Sequence, residues 1–318
     1  MLVTHGQSFF VSASGARSCA LTIGNFDGVH RGHAAMLARL KAKAAERHIP
    51  SCVLTFEPHP REFFAPHAAP ARLTRLAAKL AVLRDADIDR VHVARFDAQF
   101  SGQSPQRFID DVLLGGLGCE WLLVGHDFRF GAKRAGDFAL LELAAQRHGF
   151  GLEAMPEVKN AGERISSSAV REALLRGDLE QAAAMLGRPY SISGRVAHGD
   201  RLGRDLGFPT ANIRLPHQPP LIGIFVVEVM GLSDPGTPAR AWPAVASIGV
   251  RPTVKEEAVP LLEVHLFDFS AQIYGCRLEV KFLHKLRNEE KYPDLATLRA
   301  AIERDAANAR EYFAAKTS

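Results

Sequence analysis

The 318-residue sequence has few cysteines and no long apolar run. Its four cysteines (Cys19, Cys52, Cys119 and Cys276) are far apart and form no C-x-x-C pair, which disfavours a zinc site or a disulfide framework and is typical of a reducing compartment. No stretch reaches the roughly 18 apolar residues of a membrane-spanning helix, and "MLVTHGQSFF" does not resemble a signal peptide. We therefore expect a cytoplasmic protein with no membrane partner.

An excess of one charge is also missing, since 39 Lys and Arg oppose 35 Asp and Glu. The basic residues are spread along the chain, so nucleic acid is not expected as a partner, whereas small anionic ligands fit the slight positive excess. Walker A and protein-kinase motifs are absent, which excludes the commonest kinase classes. The length predicts about two domains, and the sequence leaves the oligomeric state open, a weak homo-oligomer included.

The first half of the chain alternates short apolar runs with helical patterns. This alternation predicts a Rossmann-like α/β domain, in which a parallel sheet carries helices on both faces. The predicted strands are 19–24, 51–56, 91–96 and 120–125, and the predicted helices are about 33–47, 73–84, 105–114, 137–147, 168–176 and 178–186.

Helical periodicity ends near "LGRPY", so we place the domain boundary there, with domains 1–185 and 186–318. Strand-like alternation follows in "SISGRV", "GIFVVEV", "AVASIGV", "LLEVHLFDF" and "RLEVKF", which predicts a small antiparallel β-barrel. A terminal helix, 295 to about 315, carries an apolar face that we expect to pack against the barrel; this face consists of Leu295, Leu298, Ile302, Ala309 and Phe313.

The stretch "GNFDGVHRGH" places His30 and His33 behind a loop that follows a predicted strand. Ligands of open α/β sheets bind at the carboxyl ends of strands, and a helix N-terminus attracts phosphate. Gly28 and Gly32 would let the backbone approach a ligand closely. A metal site with Asp27 as a third ligand is the weaker alternative, and an ordinary helix start with incidental histidines stays open at this point.

Three further polar segments follow predicted strands or open a predicted helix: "TFEPHPREFF", "VGHDFRFGAKRAGD" and "RISSSAVR". In the last, serine hydroxyls and helix N–H groups lie between Arg164 and Arg171, which is a second arrangement suited to an anion. A serine N-cap with solvated arginines would give the same string. Several such loops on one sheet edge favour a phosphate site.

The second half carries its own polar constellation in "GRVAHGDRLGRDLGFPTANI". Its spaced glycines alone are equally typical of a surface loop. Thr210 and Asn212, two residues apart in an extended segment, project oxygens to one side, and such hard ligands suit Mg²⁺ together with substrate phosphates. Glu263 lies on the polar face of its strand, where a glutamate can serve as a general base or simply face solvent.

Together these motifs resemble the bacterial bifunctional riboflavin kinase/FAD synthetase family, and "GNFDGVHRGH" resembles the HxGH signature of nucleotidyltransferases. The resemblance implies two reactions that use ATP, Mg²⁺ and flavins: adenylylation of FMN in the first domain and phosphorylation of riboflavin in the second. His30 and His33 would bind ATP phosphates, Glu263 would deprotonate the ribityl hydroxyl, and Thr210 and Asn212 would hold Mg²⁺. It further implies ATP and FMN contacts from Gly24, Asn25, Phe26, Asp27, Gly28, Pro58, His59, Asp127, Arg164, Ser166, Ser167 and Arg171, and ATP and riboflavin contacts from Gly199, Gly203, Gly207, Phe208, Pro209, Thr210 and Asn212.

The chain departs from the family pattern at three places. Phe225 stands where a tyrosine is frequent, Ser247 where an asparagine is frequent, and residues 255–260 lack the usual glycines. Two other functions are weighed beside the main one: nucleotidyl transfer to a different phosphorylated acceptor, and a non-enzymatic nucleic-acid-binding barrel. The "TFEPHP" and "GFPTAN" strings argue against the first, and the weak charge bias argues against the second.

Overall fold

The computed structural model describes residues 1–6, 9, 18–160, 162–199, 207–232, 240–250 and 260–317. The chain divides into two compact units. The first contains Met1–Pro70 and Thr74–Ser166, and the second contains Ala71–Leu73 and Ser167–Ser318. Among the described residues, no helix is long and apolar enough to cross a membrane.

The first unit is built on a six-stranded sheet in the order β1-β4-β3-β2-β5-β6, with every pair parallel. Apolar clusters cover both faces, because successive residues of β2 point to opposite sides. The α/β prediction is therefore confirmed. The elements are β1 (Leu2–His5), β2 (Cys19–Ile23), α1 (Arg31–Glu46), β3 (Ser51–Glu57), α2 (Pro60–Phe64), α3 (Leu76–Asp85), β4 (Arg90–Arg95), α4 (Ala98–Ser101), α5 (Pro105–Arg107), a π-helix (Phe108–Gly116), β5 (Cys119–Gly125), a 3₁₀ turn (Ala132–Arg134), α6 (Phe138–His148), β6 (Gly151–Met155), and the β7–β8 hairpin (Lys159–Asn160 and Glu163–Arg164).

Some local predictions for this unit need correction. The helix predicted over 105–114 does begin at Pro105, behind the Ser104 cap, but it is wound as a π-helix from Phe108 to Gly116. The sequence also missed β1 and β6. Both are edge strands with half-exposed residues, and therefore neither shows the continuous apolar run of the central strands.

The second unit contains a closed six-stranded antiparallel barrel, which confirms the all-β prediction. The alternation in "LLEVHL" is confirmed as well, since Leu262 and Val264 are fully buried while Glu263 is partly exposed. The elements are α7 (Ser167–Arg176), α8 (Leu179–Leu186), β9 (Ser191–Ala197), β10 (Ala211–Arg214), β11 (Gly223–Met230), β12 (Trp242–Val250), β13 (Pro260–Leu266), β14 (Arg277–Arg287) and α9 (Leu295–Thr317).

The terminal helix α9 packs on the outside of the barrel. Ala306 and Ala309 are buried against Val226 and Val245, and Phe313 packs on the same cluster. Leu295, however, is 58% exposed, so its assignment to the packed face was wrong. Its position at the first residue of the helix explains the difference, because the helix reaches the barrel only in its later turns.

Candidate functional site

The loop between β2 and α1, residues 24–30, has a strained backbone. Phe26, Gly28 and Val29 all have positive φ angles, of 47°, 83° and 40°. This conformation is costly for a β-branched residue such as Val29, and such strain concentrates at functional sites. Two hydrogen bonds stabilise the loop, because Asp27 Oδ1 accepts from the backbone N–H (2.9 Å) and the hydroxyl (3.2 Å) of Thr74. Asp27 is buried, with 3% of its surface exposed, and its hydrogen bonds hold the loop in place.

His30 is the N-cap of α1 and His33 lies in its first turn. The Nδ1 atom of His30 accepts the backbone N–H of His33 at 3.2 Å, and the two rings stack with centroids 3.8 Å apart. Gly32 lies close to the His30 ring, and a Cβ there would be only 3.1 Å from it. The structure therefore brings both histidines to the N-terminus of a 16-residue helix, where N–H groups favour anions.

Burial determines the protonation state of His33. Its pKa is held well below 6.5, first by loss of hydration and then by the charges of His30 and Lys79. The ring packs on Phe26 at 4.9 Å, and its Nδ1 is buried with no hydrogen-bond partner among the described residues. His33 is therefore neutral at pH 7, with a buried nitrogen beside the helix N-terminus. The sequence did not single out Lys79, which lies on the apolar face of α3 and is 5% exposed.

The loops after β3 and β5 lie at the same sheet edge, since the strands are parallel. Pro58 precedes His59, which caps α2 by accepting the N–H of Arg61 at 3.1 Å. After β5, Asp127 forms a 2.7 Å ion pair with Arg164, and this pairing lowers the pKa of the Asp127 carboxyl. In the described part of the chain, no cluster of three His, Cys, Asp or Glu side chains is placed to hold a metal ion.

The "RISSSAVR" segment is divided between the two units. Arg164 ends the β7–β8 hairpin and Ser166 closes the first unit, whereas Ser167 begins α7 in the second. Arg171 donates from Nε to the backbone oxygen of Ala71 at 2.6 Å. The assignment of these residues to a phosphate site stays a prediction.

A set of phenylalanines adjoins the loops after β3 and β4, and the sequence reasoning missed it. Neighbouring rings lie 5.2–5.8 Å apart, mostly edge to face, and Phe64 is 68% exposed. The signal was available in "REFF" and "RFDAQF", where phenylalanine recurs outside the strands. This set, which we call the phenylalanine set, consists of Phe56, Phe63, Phe64, Phe96 and Phe100.

In the barrel, Glu263 lies in a row of polar residues. It pairs in register with Asn212 of β10 on one side and with Ser247 of β12 on the other. Directly paired residues share a face of the sheet, so the three side chains point to the same side. The structure thus unites Glu263 and Asn212, which lie fifty-one positions apart in the sequence.

The segment before β10 is fixed by His265, two residues after Glu263 on the same face. His265 Nδ1 lies 2.9 Å from the backbone oxygen of Pro209, and its ring meets Phe208 edge to face at 5.3 Å. The Asn212 amide donates to the backbone oxygen of Thr210 at 3.2 Å. Gly199 lies directly against that amide, since a Cβ there would be 2.5 Å from Asn212 Nδ2.

The remaining residues of this predicted site have mixed outcomes. Gly207 is exposed with φ 90°, a backbone conformation that favours glycine. Gly203 and residues 255–259 lie outside the described residues. Phe225 is fully buried and meets Phe282 edge to face at 5.3 Å, so a tyrosine hydroxyl is not needed there.

A pocket of about 280 Å³ lies between the outer face of the barrel and α9. Thr210, Ser247 and Glu263 line it from the barrel. Arg287 and Asp305 form a bidentate ion pair in its wall, at 2.9 and 2.6 Å. The other lining residues are Phe208, Ile224, Val245, Ala246, His265, Glu289, Glu290, Tyr292, Leu298 and Ile302.

In comparisons with known proteins, two different family models match the two regions that contain these sets of polar residues. A family model described as FAD synthetase matches residues 12–169, and one described as riboflavin kinase matches residues 186–313. A bifunctional riboflavin kinase/FMN adenylyltransferase of Escherichia coli (strain K12) is 47% identical over 304 residues, which cover 95% of each chain. The chain belongs to the bifunctional riboflavin kinase/FMN adenylyltransferase family. A Haemophilus influenzae member of this family is 48% identical over 93% of this chain and 95% of its own.

A solved structure also has the fold of this chain. It is described as a macrolide-efflux protein from Streptococcus pneumoniae, with a TM-score of 0.77 and 25% identity over 96% of this chain and 97% of that one. Fold alone does not determine function, which depends on the site. The two constellations and the two family matches therefore outweigh the description of that structure.

Proposed function

We propose that this chain phosphorylates riboflavin to FMN and adenylylates FMN to FAD, with ATP as co-substrate in both reactions. The observation that carries the proposal is that each of two polar constellations lies in a region matched by one of the two enzyme models. We place the adenylyltransferase domain at residues 1–185 and the kinase domain at residues 186–318.

For adenylylation, the FMN phosphate attacks the α-phosphorus of ATP and pyrophosphate leaves. This reaction needs no protein nucleophile, because alignment and stabilisation of the developing negative charge are sufficient. The N-terminus of α1, capped by His30, supplies N–H donors for the phosphates. A neutral His33 can donate one further hydrogen bond. Arg164 of the neighbouring hairpin is paired with Asp127 and Glu157, and we propose that it exchanges these carboxylates for phosphate when ATP binds.

The phenylalanine set suits the ring system of FMN. Its rings adjoin the loops that follow β3 and β4, and Phe64 presents a largely exposed ring there. A planar aromatic ligand gains from apolar contact and from stacking or edge-to-face geometry. We assign these rings to the flavin and Pro58 and His59 to the turn that presents Phe64.

For phosphorylation, Glu263 accepts the proton of the ribityl 5′-hydroxyl as that oxygen attacks the γ-phosphorus of ATP. Asn212 pairs in register with Glu263, and Thr210 lines the same pocket as Glu263, so this part of the barrel offers hydroxyl, amide and carboxylate oxygens. Hard oxygen donors of this kind fit Mg²⁺, and we propose that Thr210 and Asn212 hold it with the phosphates. When bound, the ion neutralises charge on the transferring phosphoryl group.

The state of the cysteines bears on the compartment, and the two proposed reactions determine the partners. The four cysteines are free, three of them buried, which supports a reducing, cytoplasmic setting. We propose riboflavin, FMN and ATP as the partners of this chain.

A time course tests the proposed function directly. The full chain is incubated with riboflavin, ATP and Mg²⁺, and flavins are separated chromatographically. We expect FMN first and FAD later, and FAD alone when FMN is supplied instead of riboflavin. Absence of both products would refute the proposal, and formation of FMN without FAD would refute its first-unit half.

A further inference from the structure

Lys79 is a buried cation in the first unit that the steps above do not use. It is the fourth residue of α3 and is 5% exposed. Its Nζ donates to the hydroxyl of Thr55 at 3.2 Å. The Thr55 hydroxyl in turn donates to the backbone oxygen of Asn25 at 3.3 Å. These contacts connect α3, through the end of β3, to the loop of residues 24–30.

A lysine is an unusual residue on the apolar face of a helix. Burying an ammonium is costly, and a cation near a helix N-terminus opposes the helix dipole. Leu76, Leu80 and Leu83 of the same helix pack into an apolar cluster with Phe26. An apolar side chain at residue 79 would extend that cluster, and replacing buried charges by apolar groups is frequently neutral or stabilising.

We propose that Lys79 is a positioning residue for FMN adenylylation, which fixes the backbone of the 24–30 loop through Thr55 and keeps a positive charge beside the ATP phosphates. The inference rests on the proposed function of the first unit. Its electrostatic part follows from the same geometry, because two successive hydrogen bonds place the ammonium directly behind the 24–30 loop, and the charge of Lys79 also contributes to lowering the pKa of His33. The ammonium is therefore within electrostatic reach of the histidine pair.

The test compares Lys79→Met with the wild-type full chain. We expect kcat/KM for FAD formation from supplied FMN to fall on the order of 100-fold, as misplacement of reacting groups does. Riboflavin phosphorylation should be unchanged, because the variant lies outside the barrel. Lys41→Met is the matched control, since Lys41 forms an exposed ion pair with Asp87 on the surface, and it should leave both reactions unchanged.

Two more variants separate position from charge. Thr55→Val removes the hydroxyl link and keeps the ammonium, so it should lower kcat with little change in the KM for ATP. Lys79→Met should alter both kcat and this KM, and Lys79→Arg should restore part of the loss because it keeps the charge.

Three results would overturn the inference. The first is wild-type adenylylation in Lys79→Met. The second is a lower melting temperature of Lys79→Met together with loss of both activities, which would indicate a structural role. A wild-type chain that forms no FAD would overturn the proposed function as well, whereas an active wild-type chain with an active Lys79→Met variant overturns the inference alone.

Discussion

The ion pair between Arg287 and Asp305 gives the sharpest stability prediction for the barrel. It joins β14 to α9, and its side chains are only 18% and 6% exposed. Asp305→Asn leaves the guanidinium without its main charge partner, and breaking a buried pair costs about 3–5 kcal/mol. Glu290 lies 3.8 Å from Arg287, so we expect the lower limit of that range. A loss of about 3 kcal/mol lowers the melting temperature by roughly 10 °C for a domain of this size.

The matched control is a second bidentate pair on the same helix. Arg310 and Asp268 are 3.0 and 3.1 Å apart but 52% and 78% exposed. Asp268→Asn should therefore lower the melting temperature far less than Asp305→Asn does, because exposed ion pairs are screened by solvent. Thermal unfolding is followed with and without riboflavin, because ligand binding raises the melting temperature of the unit that binds it and so identifies the barrel transition. Equal shifts in the two variants would show that burial does not decide the energy of these pairs.

Three other predictions concern activity and pH. His33→Ala should abolish FAD formation while FMN still accumulates, as flavin chromatography would reveal; loss of both products would contradict two independent sites. Glu263→Gln should do the reverse, and wild-type riboflavin phosphorylation in that variant would exclude Glu263 as the base. Burial lowers the pKa of His92 from 6.5 to about 4, so the unfolded chain binds more protons between these values and stability is lost as the pH falls through them. Near pH 5 the loss of stability is about 2 kcal/mol. Denaturant titrations at several pH values should show that the unfolding free energy of His92→Gln does not fall in this way between pH 6.5 and 4.

The arrangement of strands was predictable because the pattern of burial is strong in the centre of each unit. β2 and β3 are buried along most of their length and appear in the sequence as continuous apolar runs, whereas β13 alternates because only one of its faces is buried. The winding of the π-helix and the strands at the edges of the sheet were not predictable in this way. The π-helix after Arg107 has the apolar spacing of an ordinary helix, and β1 pairs with the sheet through backbone groups that leave no side-chain pattern.

Contacts between predicted site residues could be foreseen from the sequence only within one short motif. His30 and His33 share a helix start, so their spacing alone predicted that they meet, and their rings do stack. Lys79 and Arg287 were missed because their importance depends on contacts with distant segments. The lysine did leave a signal: it replaces an apolar residue on the buried face of a helix, between Leu76 and Leu83.

The two proposed sites differ in the groups that would bind the negative charge of phosphate. In the first unit a strained loop and a helix N-terminus present backbone N–H groups, the buried ammonium of Lys79 lies behind the loop, and the Asp27 carboxylate is engaged by Thr74. In the barrel the principal group is the carboxylate of Glu263, with neutral oxygens from Asn212 and Thr210 nearby. A carboxylate repels phosphate, so we expect the barrel site to accept nucleotide together with a cation, whereas backbone N–H groups and the Lys79 ammonium favour phosphate in the first unit. Removal of divalent metal should therefore weaken nucleotide binding more strongly in the barrel than in the first unit.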